Sequence, residues 1–575
     1  MTEDQIKVYL QKIILENYHL ETDPIVTKPD EKFGDYSTNI ALQLAKTLKQ
    51  NPLQIAQTIS DRLQAQFSFQ KVETKPPGFI NVYLADQTII NELKQTISQK
   101  NFGQTELYKN QKIVTEFSDP NPFKVLHVGH LYTSIIGDAI SNIIEQAGGQ
   151  VYRVNFGGDV GLHVAKSIWG IIKSLGGEFP DKLNNIPNNQ RVEWLVECYI
   201  EGNSTYEQEQ SVAEEIKIIN QKIYQIQAEQ NHQSNLAQIY WTCRQWSYDY
   251  FDQFYQTINV KFDKYYPESQ TFSIGLKTVQ EQLQKGHFQT SQGAVIFPGE
   301  KYGLHSRVFI NQQGLPTYET KDIGLNLLKW QDYHFDQSII ITGNDIQEYM
   351  KVVLKAMEQI KPELSHKTLH LTHGNVKLAG GIKMSSRKGN FIQAYDLIDL
   401  VQRTAQQASQ TQPDFDLVLS AIKYSFLKQQ IGPDLIFDPQ ESINLKGNTG
   451  VYLQYSLVRA KSILQKAQKH QDQTTSQLDQ FEKRLILKFL DYPDLVLQST
   501  HQLKPNLVCN YLYELSQLFN RFYENDQILE APNQNFRLTI LEAYILIMEK
   551  AFKMLGLPIM NKISPTKAKN VLVLA

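Results

Sequence analysis

The residues best suited to chemistry fall in "PNPFKVLHVGH" at positions 120–130, where His127 and His130 flank Gly129 and Lys124 stands three residues ahead of the first histidine. Histidines at this spacing can share a metal ion, line a phosphate site or fill a core. Zinc would need further ligands in a recognisable arrangement, and none stands nearby in the sequence, so no metal site is expected. A second stretch, "GNVKLAGGIKMSSRKGN" at 374–390, combines glycines and small hydroxyl residues with Lys383, Arg387 and Lys388. Taken alone it is open to a plain reading as a solvated charge run.

The elements around the first stretch favour phosphate. "KIVTEFS" reads as a short strand, "VGHLYTSIIGDAISNIIEQAG" has helical spacing and stops at Gly148 and Gly149, and "QVYRVNFGGD" is again strand-like. That is a βαβ unit, the opening of a doubly wound sheet. His127 then ends the loop after the first strand and His130 opens the helix, at the carboxyl edge where such sheets bind nucleotides. Gly129 admits a ligand close to the backbone, and the helix N-terminus offers unpaired N–H groups and a positive dipole end.

Residues 1–108 read as a compact α+β module. Ile6, Leu10, Ile13 and Ile14 mark an amphipathic helix, Pro52 opens a later one, and "PPGFINVYLA" is a turn and a strand. Residues 109–395 form the sheet domain, interrupted at about 185–257 by a polar, Gln-rich helical insertion. "GAVIFP", "SRVFI" and "QSIIITG" are expected to resume the same sheet. Beyond about 415 nearly everything is helix-patterned, and 396–575 reads as a linker and an all-α bundle.

A length of 575 residues calls for about three domains, each able to bury a core. The net charge of −3 is close to neutral, so a polyanionic partner must be met by local basic patches. Cys198, Cys243 and Cys509 lie far apart, which excludes a disulfide framework and fits a reducing, cytoplasmic setting. The first residues are acidic and amphipathic, and no apolar run reaches the roughly 18 residues of a span, so neither a signal peptide nor a membrane partner is expected.

Taken together and in this order, "HVGH" and "KMSSR" resemble the HIGH and KMSKS signatures of class I aminoacyl-tRNA synthetases. Further blocks narrow the resemblance to the arginyl-tRNA synthetase family and extend it over nearly the whole chain. "EFSDPNPFKVLHVGHL" is similar to the extended first signature, "FGDYSTNIALQLAK" and "PPGFINVYL" to the N-terminal domain, and "NVKFDKYYPES" and "PTYETKDIG" to the middle blocks. "GNTGVYLQYSLVRAKSIL" and "YLYELSQLFNRFYEN" resemble the anticodon-binding bundle.

The resemblance implies a Rossmann-like class I catalytic domain between an α+β N-terminal domain that grips the tRNA elbow and an all-α anticodon-binding domain. It implies that L-arginine is activated with ATP to arginyl-adenylate and passed to the 3′ end of tRNA(Arg), with tRNA bound before activation. Attack of the arginine carboxylate on the α-phosphorus gathers charge on phosphate oxygens, so positioning and electrostatics are the protein's task. ATP would meet His127, Gly129, His130, Gly343, Asp345, Met384 and Ser385, with Mg²⁺ carried on the nucleotide or pyrophosphate. His127, His130, Lys383, Arg387 and Lys388 are the implied catalytic donors. The fourth position of the second signature is usually lysine, and here it is Ser386. Lys124 resembles the compensating lysine of arginyl enzymes that lack it; the plain alternative is a solvated loop lysine.

A guanidinium calls for carboxylates and an aromatic ring. In the resemblance these are Tyr318 and Asp322, four apart, with Glu268 as a second carboxylate. Glu116, Asn121 and Gln347 would take the α-amino and carboxylate ends. The family often reads Gly-x-Asp-Gln where this chain has "GNDIQ", so Gln347, one position on, is expected to substitute. Asp119 stands where serine is common and is expected to rebalance charge around the α-ammonium.

Tyr455, Arg459, Asn520 and Tyr523 are the expected tRNA contacts, rings stacking splayed bases and cations meeting phosphates. About half of the aromatics in this region, which include Tyr452 and Tyr511, are expected to be bundle core. A monomer is expected; residues 562–575 run past the expected close of the bundle. Two other readings stay open: a class I synthetase for another amino acid such as cysteine, against which Tyr318 and Asp322 argue, and a non-catalytic synthetase-like RNA-binding protein. The latter should have lost His127, His130 or the basic loop, and all are present.

Overall fold

The computed structural model describes residues 3–29, 31–99, 101–381, 392–468 and 477–563. At its centre five parallel strands lie in the order Thr368–His373, Gln337–Gly343, Lys112–Glu116, Gln150–Gly157, Lys264–Pro267. Ile113, Ile339 and Ile341 pack into one core, with Ile136 and Ile140 of the helix Val128–Gln146. Val114 and Ile340 pack into the opposite core, with Val154, Tyr266 and Ile323. Successive strand residues point to opposite faces, so a β-branched run without polar alternation fits a sheet covered on both sides.

The chain builds this sheet from Lys112–Glu116 outward to Lys264–Pro267, then crosses back to Gln337–Gly343 on the other side. Strand order therefore reverses between Lys112–Glu116 and Gln337–Gly343, and a crevice opens there beyond the carboxyl ends.

"GAVIFP" and "SRVFI" do not join this sheet. Ala294–Phe297 pairs with Gln289–Ser291 on one side and with Arg307–Ile310 on the other, in a separate antiparallel sheet. The reason is the turn: Gln292 and Gly293 both have positive φ, 49° and 80°, and join Ser291 to its partner Ala294. A two-residue turn of this kind folds a chain straight back on itself, whereas entry to a parallel sheet needs a crossover. A second departure is Leu435–Phe437, a short strand inside the stretch read as helical, which pairs in parallel with Val376–Leu378.

The helices Arg191–Gln208, Gln210–Glu229 and Asn235–Thr257 lie between the strands Gln150–Gly157 and Lys264–Pro267 and share a core of their own. At the N-terminal end, four antiparallel strands are covered by the helices Glu3–Tyr18, Ile40–Leu48, Pro52–Gln66 and Asp86–Ser98. At the other end the helices Gly450–Lys466, Gln480–Phe489, Tyr492–Gln502, Pro505–Asn525 and Gln534–Met554 pack together. Lys483 of this group reaches Asp35 at 3.0 Å, tying the two ends of the chain. Among the described residues no helix is long and apolar enough to cross a membrane.

Candidate active site

His127 is the N-cap of the helix Val128–Gln146, and with His130 it closes a reciprocal cap. The Nδ1 of His127 accepts from the Gly129 N–H at 3.0 Å, and the His127 N–H donates to Nδ1 of His130 at 3.1 Å. Both Nδ1 atoms act as acceptors, so in the neutral rings the proton sits on Nε2. Burial pushes both pKa values down; Lys124 adds to the shift at His127, and His127 and Lys124 add to it at His130. The pair is thus set as neutral N–H donors at the mouth of the crevice.

The loop between the first strand and this helix is held in unusual backbone geometry, with positive φ at Ser118, Asp119 and Phe123. Side chains compensate. Asp119 accepts from Phe156 N–H at 2.8 Å and Asn121 from Gly158 N–H at 2.9 Å. From the insertion, Ser247 accepts from Phe123 N–H at 2.9 Å and the Tyr250 hydroxyl accepts from Leu126 N–H at 3.3 Å. Lys124 projects from this loop with its ammonium over the Tyr199 ring, 4.6 Å from the centroid.

Lys383, Met384, Ser385, Arg387 and Lys388 lie outside the described residues. Where the chain resumes, Ile392 accepts from Val128 N–H at 2.9 Å and Ala394 donates to the Leu126 carbonyl at 2.9 Å, so the basic stretch leads directly into the histidine cap. Gly343 ends its strand across the crevice, and Asp345, two residues on, is near enough for its charge to act on His127 and His373.

Of the residues expected to bind the amino acid, Tyr318 and Asp322 lie on the helix Tyr318–Tyr333. Tyr318 is 53% exposed at its start and Asp322 is buried one turn on. Tyr349 donates to the Asp322 carboxylate, and the Arg307 guanidinium lies 5.3 Å from the Tyr349 ring centroid while donating to Glu319 at 3.1 Å. Glu268 and Glu116 are buried and already paired, the first with Lys321 at 2.5 Å and the second with Lys329. Asp119 and Asp322 are within electrostatic reach of each other and of Glu116, and Lys329 is the cation that offsets them. Burial first, then like charge, holds Asp119 well above the usual carboxylate range and pushes Asp322 up to about 8. The pocket has more acid than base. Gln347, by contrast, is exposed on the first turn of its helix, and the residue that reaches Asp322 is Tyr349, two positions on.

Several residues of the site are not legible in the sequence. Lys321, Lys329 and Tyr349 are among them, as are His163 and Asp159. His163 donates from Nε2 to the Gly158 carbonyl at 2.7 Å, leaving Nδ1 as an acceptor, and burial with the Lys124 charge pushes its pKa down to about 3. Asp159 is fully buried and accepts from Ser269 N–H at 2.8 Å, Ser269 Oγ at 2.7 Å and Arg244 Nε at 2.8 Å. It fastens the insertion to the helix that begins with Glu268. The one signal for these two is "GGDVGLH", directly after a strand at the sheet's carboxyl edge.

Far from the crevice, Tyr452, Arg459, Asn520 and Tyr523 meet between the helices Gly450–Lys466 and Pro505–Asn525. Asn520 accepts from Arg459 at 3.0 Å and donates to the Tyr452 hydroxyl at 2.8 Å, and Arg459 stacks 5.0 Å from the Tyr523 ring centroid. Tyr523 is 41% exposed, Tyr455 is half-buried and Tyr511 is core.

A doubly wound parallel sheet with capped histidines at its switch point and an acidic pocket beside them defines a nucleotide-handling enzyme of the class I synthetase fold. Family models cover most of the chain: "tRNA synthetases class I (R), catalytic domain" matches 92–436, "Arginyl tRNA synthetase N terminal domain" 2–84 and "DALR anticodon binding domain" 453–563. The chain belongs to the class I tRNA synthetase family, in its arginine (R) branch. It is 28% identical to the arginine–tRNA ligase of Porphyromonas gingivalis, over 93% of this chain and 96% of that one. The arginine–tRNA ligase of Treponema denticola is 29% identical, over 96% and 95%. The arginyl-tRNA synthetase structure from Thermus thermophilus superposes with a TM-score of 0.75 at 21% identity, covering 98% of this chain and all 100% of that chain. That from Plasmodium falciparum gives 0.74 at 22%, covering 97% and 99%.

Proposed function

We propose that the protein is an arginine–tRNA ligase, activating L-arginine with ATP and transferring it to tRNA(Arg). The observation that carries the substrate is the acidic pocket: Asp322, Asp119 and Glu116 converge beside the histidine cap with Lys329 as their offsetting cation. A buried excess of acidic groups, ionised at least cost beside a cation, calls for a cationic ligand, and arginine brings a guanidinium for Asp322 with Tyr318 and Tyr349 beside it. Its α-ammonium falls to Asp119, Asn121 and the acceptor nitrogen of His163. Its carboxylate then faces the phosphate side, where His127 and His130 donate from Nε2 and Lys124 supplies a point charge in place of the lysine missing at Ser386.

The donors expected of the basic stretch, Lys383, Arg387 and Lys388 with Met384 and Ser385, complete this assignment. Glu268 is best read as the anchor of Lys321 on the pocket wall. Mg²⁺ would neutralise charge on the leaving pyrophosphate. In this reading the ion is held by phosphate oxygens and water.

The division into 1–108, 109–395 and 396–575 belongs to the same reading, with the Arg459 cluster as the anticodon contact. So do the monomeric state, which gel filtration against tRNA would check, and the cytoplasmic setting, which the three unpaired buried cysteines support. The decisive experiment is charging of arginine-specific tRNA by the purified protein, with pyrophosphate exchange measured for arginine with and without that tRNA. Exchange is expected only when tRNA is present. Charging with a different amino acid, or none, would overturn the assignment.

A further inference from the structure

Lys124 brings a full positive charge into a site whose three imidazoles, His127, His130 and His163, are all pushed toward the neutral form. Among the described residues no acidic side chain forms an ion pair with it; its ammonium lies over the Tyr199 ring instead. The difference matters for an incoming phosphate. A carboxylate partner would cancel the lysine's charge and repel the nucleotide, whereas an aromatic face holds a cation in place and leaves its charge whole.

Tyr199 belongs to the insertion helix Arg191–Gln208, and that helix is fixed tightly to the helix Leu162–Leu175. A Cβ added at Gly202 would stand 1.9 Å from the Lys166 carbonyl oxygen, and one at Gly170 would stand 2.0 Å from that of Cys198, the neighbour of Tyr199. The two glycines therefore let Arg191–Gln208 press backbone to backbone on Leu162–Leu175, the helix that follows the strand Gln150–Gly157. Lys166 reinforces the contact by donating to Asn203 at 2.9 Å and stacking on Tyr206 at 4.2 Å. The loop that carries Lys124 is pinned from the same insertion by Ser247 and Tyr250. Ring and ammonium are thus both placed by the insertion, through two of its helices.

We propose that Tyr199 is a positioning residue for the activation step: its ring face seats the Lys124 ammonium toward the ATP phosphates, so the helical insertion completes the phosphate side of the active site. The role rests on the assignment of Lys124 to phosphate made above. The ring itself touches no reacting atom. Its contribution acts on rate, because the seated charge matters most when negative charge builds on the phosphate oxygens.

The test compares Tyr199→Leu, Tyr199→Phe and Lys124→Met, alone and combined, in arginine charging. Tyr199→Leu should lower kcat about tenfold with the KM values for arginine, ATP and tRNA unchanged, and Tyr199→Phe, which keeps the face, should retain the rate. In the Lys124→Met background Tyr199→Leu should cost nothing more, since the group it seats is gone. Graded fluorination of a phenylalanine at 199 drains the ring face without altering its shape, and kcat should fall with each step. Full rate in Tyr199→Leu beside an impaired Lys124→Met overturns the role of Tyr199 and leaves that of Lys124 standing; full rate in Lys124→Met overturns both. Equal losses in the Phe and Leu variants, or a Leu loss that persists without Lys124, would assign Tyr199 to packing alone. If Tyr199→Leu does not fold, the fluorinated series decides, and a flat series overturns the proposal.

Discussion

Tyr349 donates its phenolic hydrogen to the Asp322 carboxylate, joining the helix Gln347–Ile360 to the helix Tyr318–Tyr333 at the rim of the switch-point crevice. One hydrogen bond does not offset the burial of this acid. Desolvation is the largest influence on it, the charges of Glu116 and Glu268 push the same way, and Tyr349 and Lys329 pull back. The folded chain without substrate therefore keeps an acid that is costly to ionise where, on the proposed assignment, a guanidinium binds.

That cost makes arginine binding pH-dependent. Asp322 must be ionised to pair with the guanidinium, and its pKa is pushed from 3.8 to about 8. The arginine KM should therefore fall about tenfold between pH 7 and pH 9. His163, pushed down to about 3, stays neutral throughout and adds nothing to the profile. A KM flat across this range, measured at saturating ATP and tRNA, would contradict the pocket.

The same acid sets a trade between stability and function. Its folded pKa is raised, so its contribution to stability is complete below its ordinary value of 3.8 and is lost as pH climbs through about 8. Asp322→Asn keeps the shape without the charge and should raise the melting temperature at pH 8. It should also cut kcat/KM for arginine by about 100-fold or more, on the order of 3 kcal/mol for a desolvated charged contact. A variant with ordinary arginine kinetics would remove Asp322 from the site.

The sequence carries the local features well and the distant ones poorly. The cap at His127 and His130 depends on residues three apart and on Gly129, so it is readable from "HVGH" alone. The same holds for the βαβ unit around it. The strand signal in "GAVIFP" says nothing of which strand it pairs with; the pairing is decided by the Gln292–Gly293 turn just ahead of it. Lys321 and Lys329 look like solvated charges on a helix, yet both are buried, because the carboxylates that make burial tolerable, Glu268 and Glu116, come from other elements. Position alone points to Gln347, and the helix it opens turns it outward while bringing Tyr349 inward.

At the helical end, Arg459 is held by Asn520 and by the Tyr523 ring, and that cluster is partly open to solvent. If anticodon phosphates and bases meet there, Arg459→Ala should weaken tRNA binding and reduce its salt dependence by about one counterion. Tyr523→Ala should lose about 1–3 kcal/mol of base stacking while Tyr523→Phe loses little. Binding is read by filter retention across a salt series, with kcat at saturating tRNA expected to hold. Unchanged affinity in both alanine variants would move the tRNA contact elsewhere on the bundle.

The charge at Lys124 is the sharpest test of the phosphate side. The second signature has Ser386 where a lysine is usual, and Lys124 stands where its charge already acts on His127, His130 and His163. Lys124→Met should leave arginine and tRNA affinity nearly intact while lowering kcat about 100-fold or more, since an interaction made mainly in the transition state acts on rate. Ser386→Lys in that background should recover part of the loss, because the new ammonium would serve the same phosphate; in the otherwise intact enzyme it should add little. Both measurements use single-turnover charging, which separates chemistry from product release. Removing the positive charge should also let His127 and His130 titrate higher, an effect visible by NMR and independent of turnover. If Lys124→Met keeps full activity, or fails only because tRNA no longer binds, the lysine ahead of the histidines is a loop residue or an RNA contact and takes no part in activation.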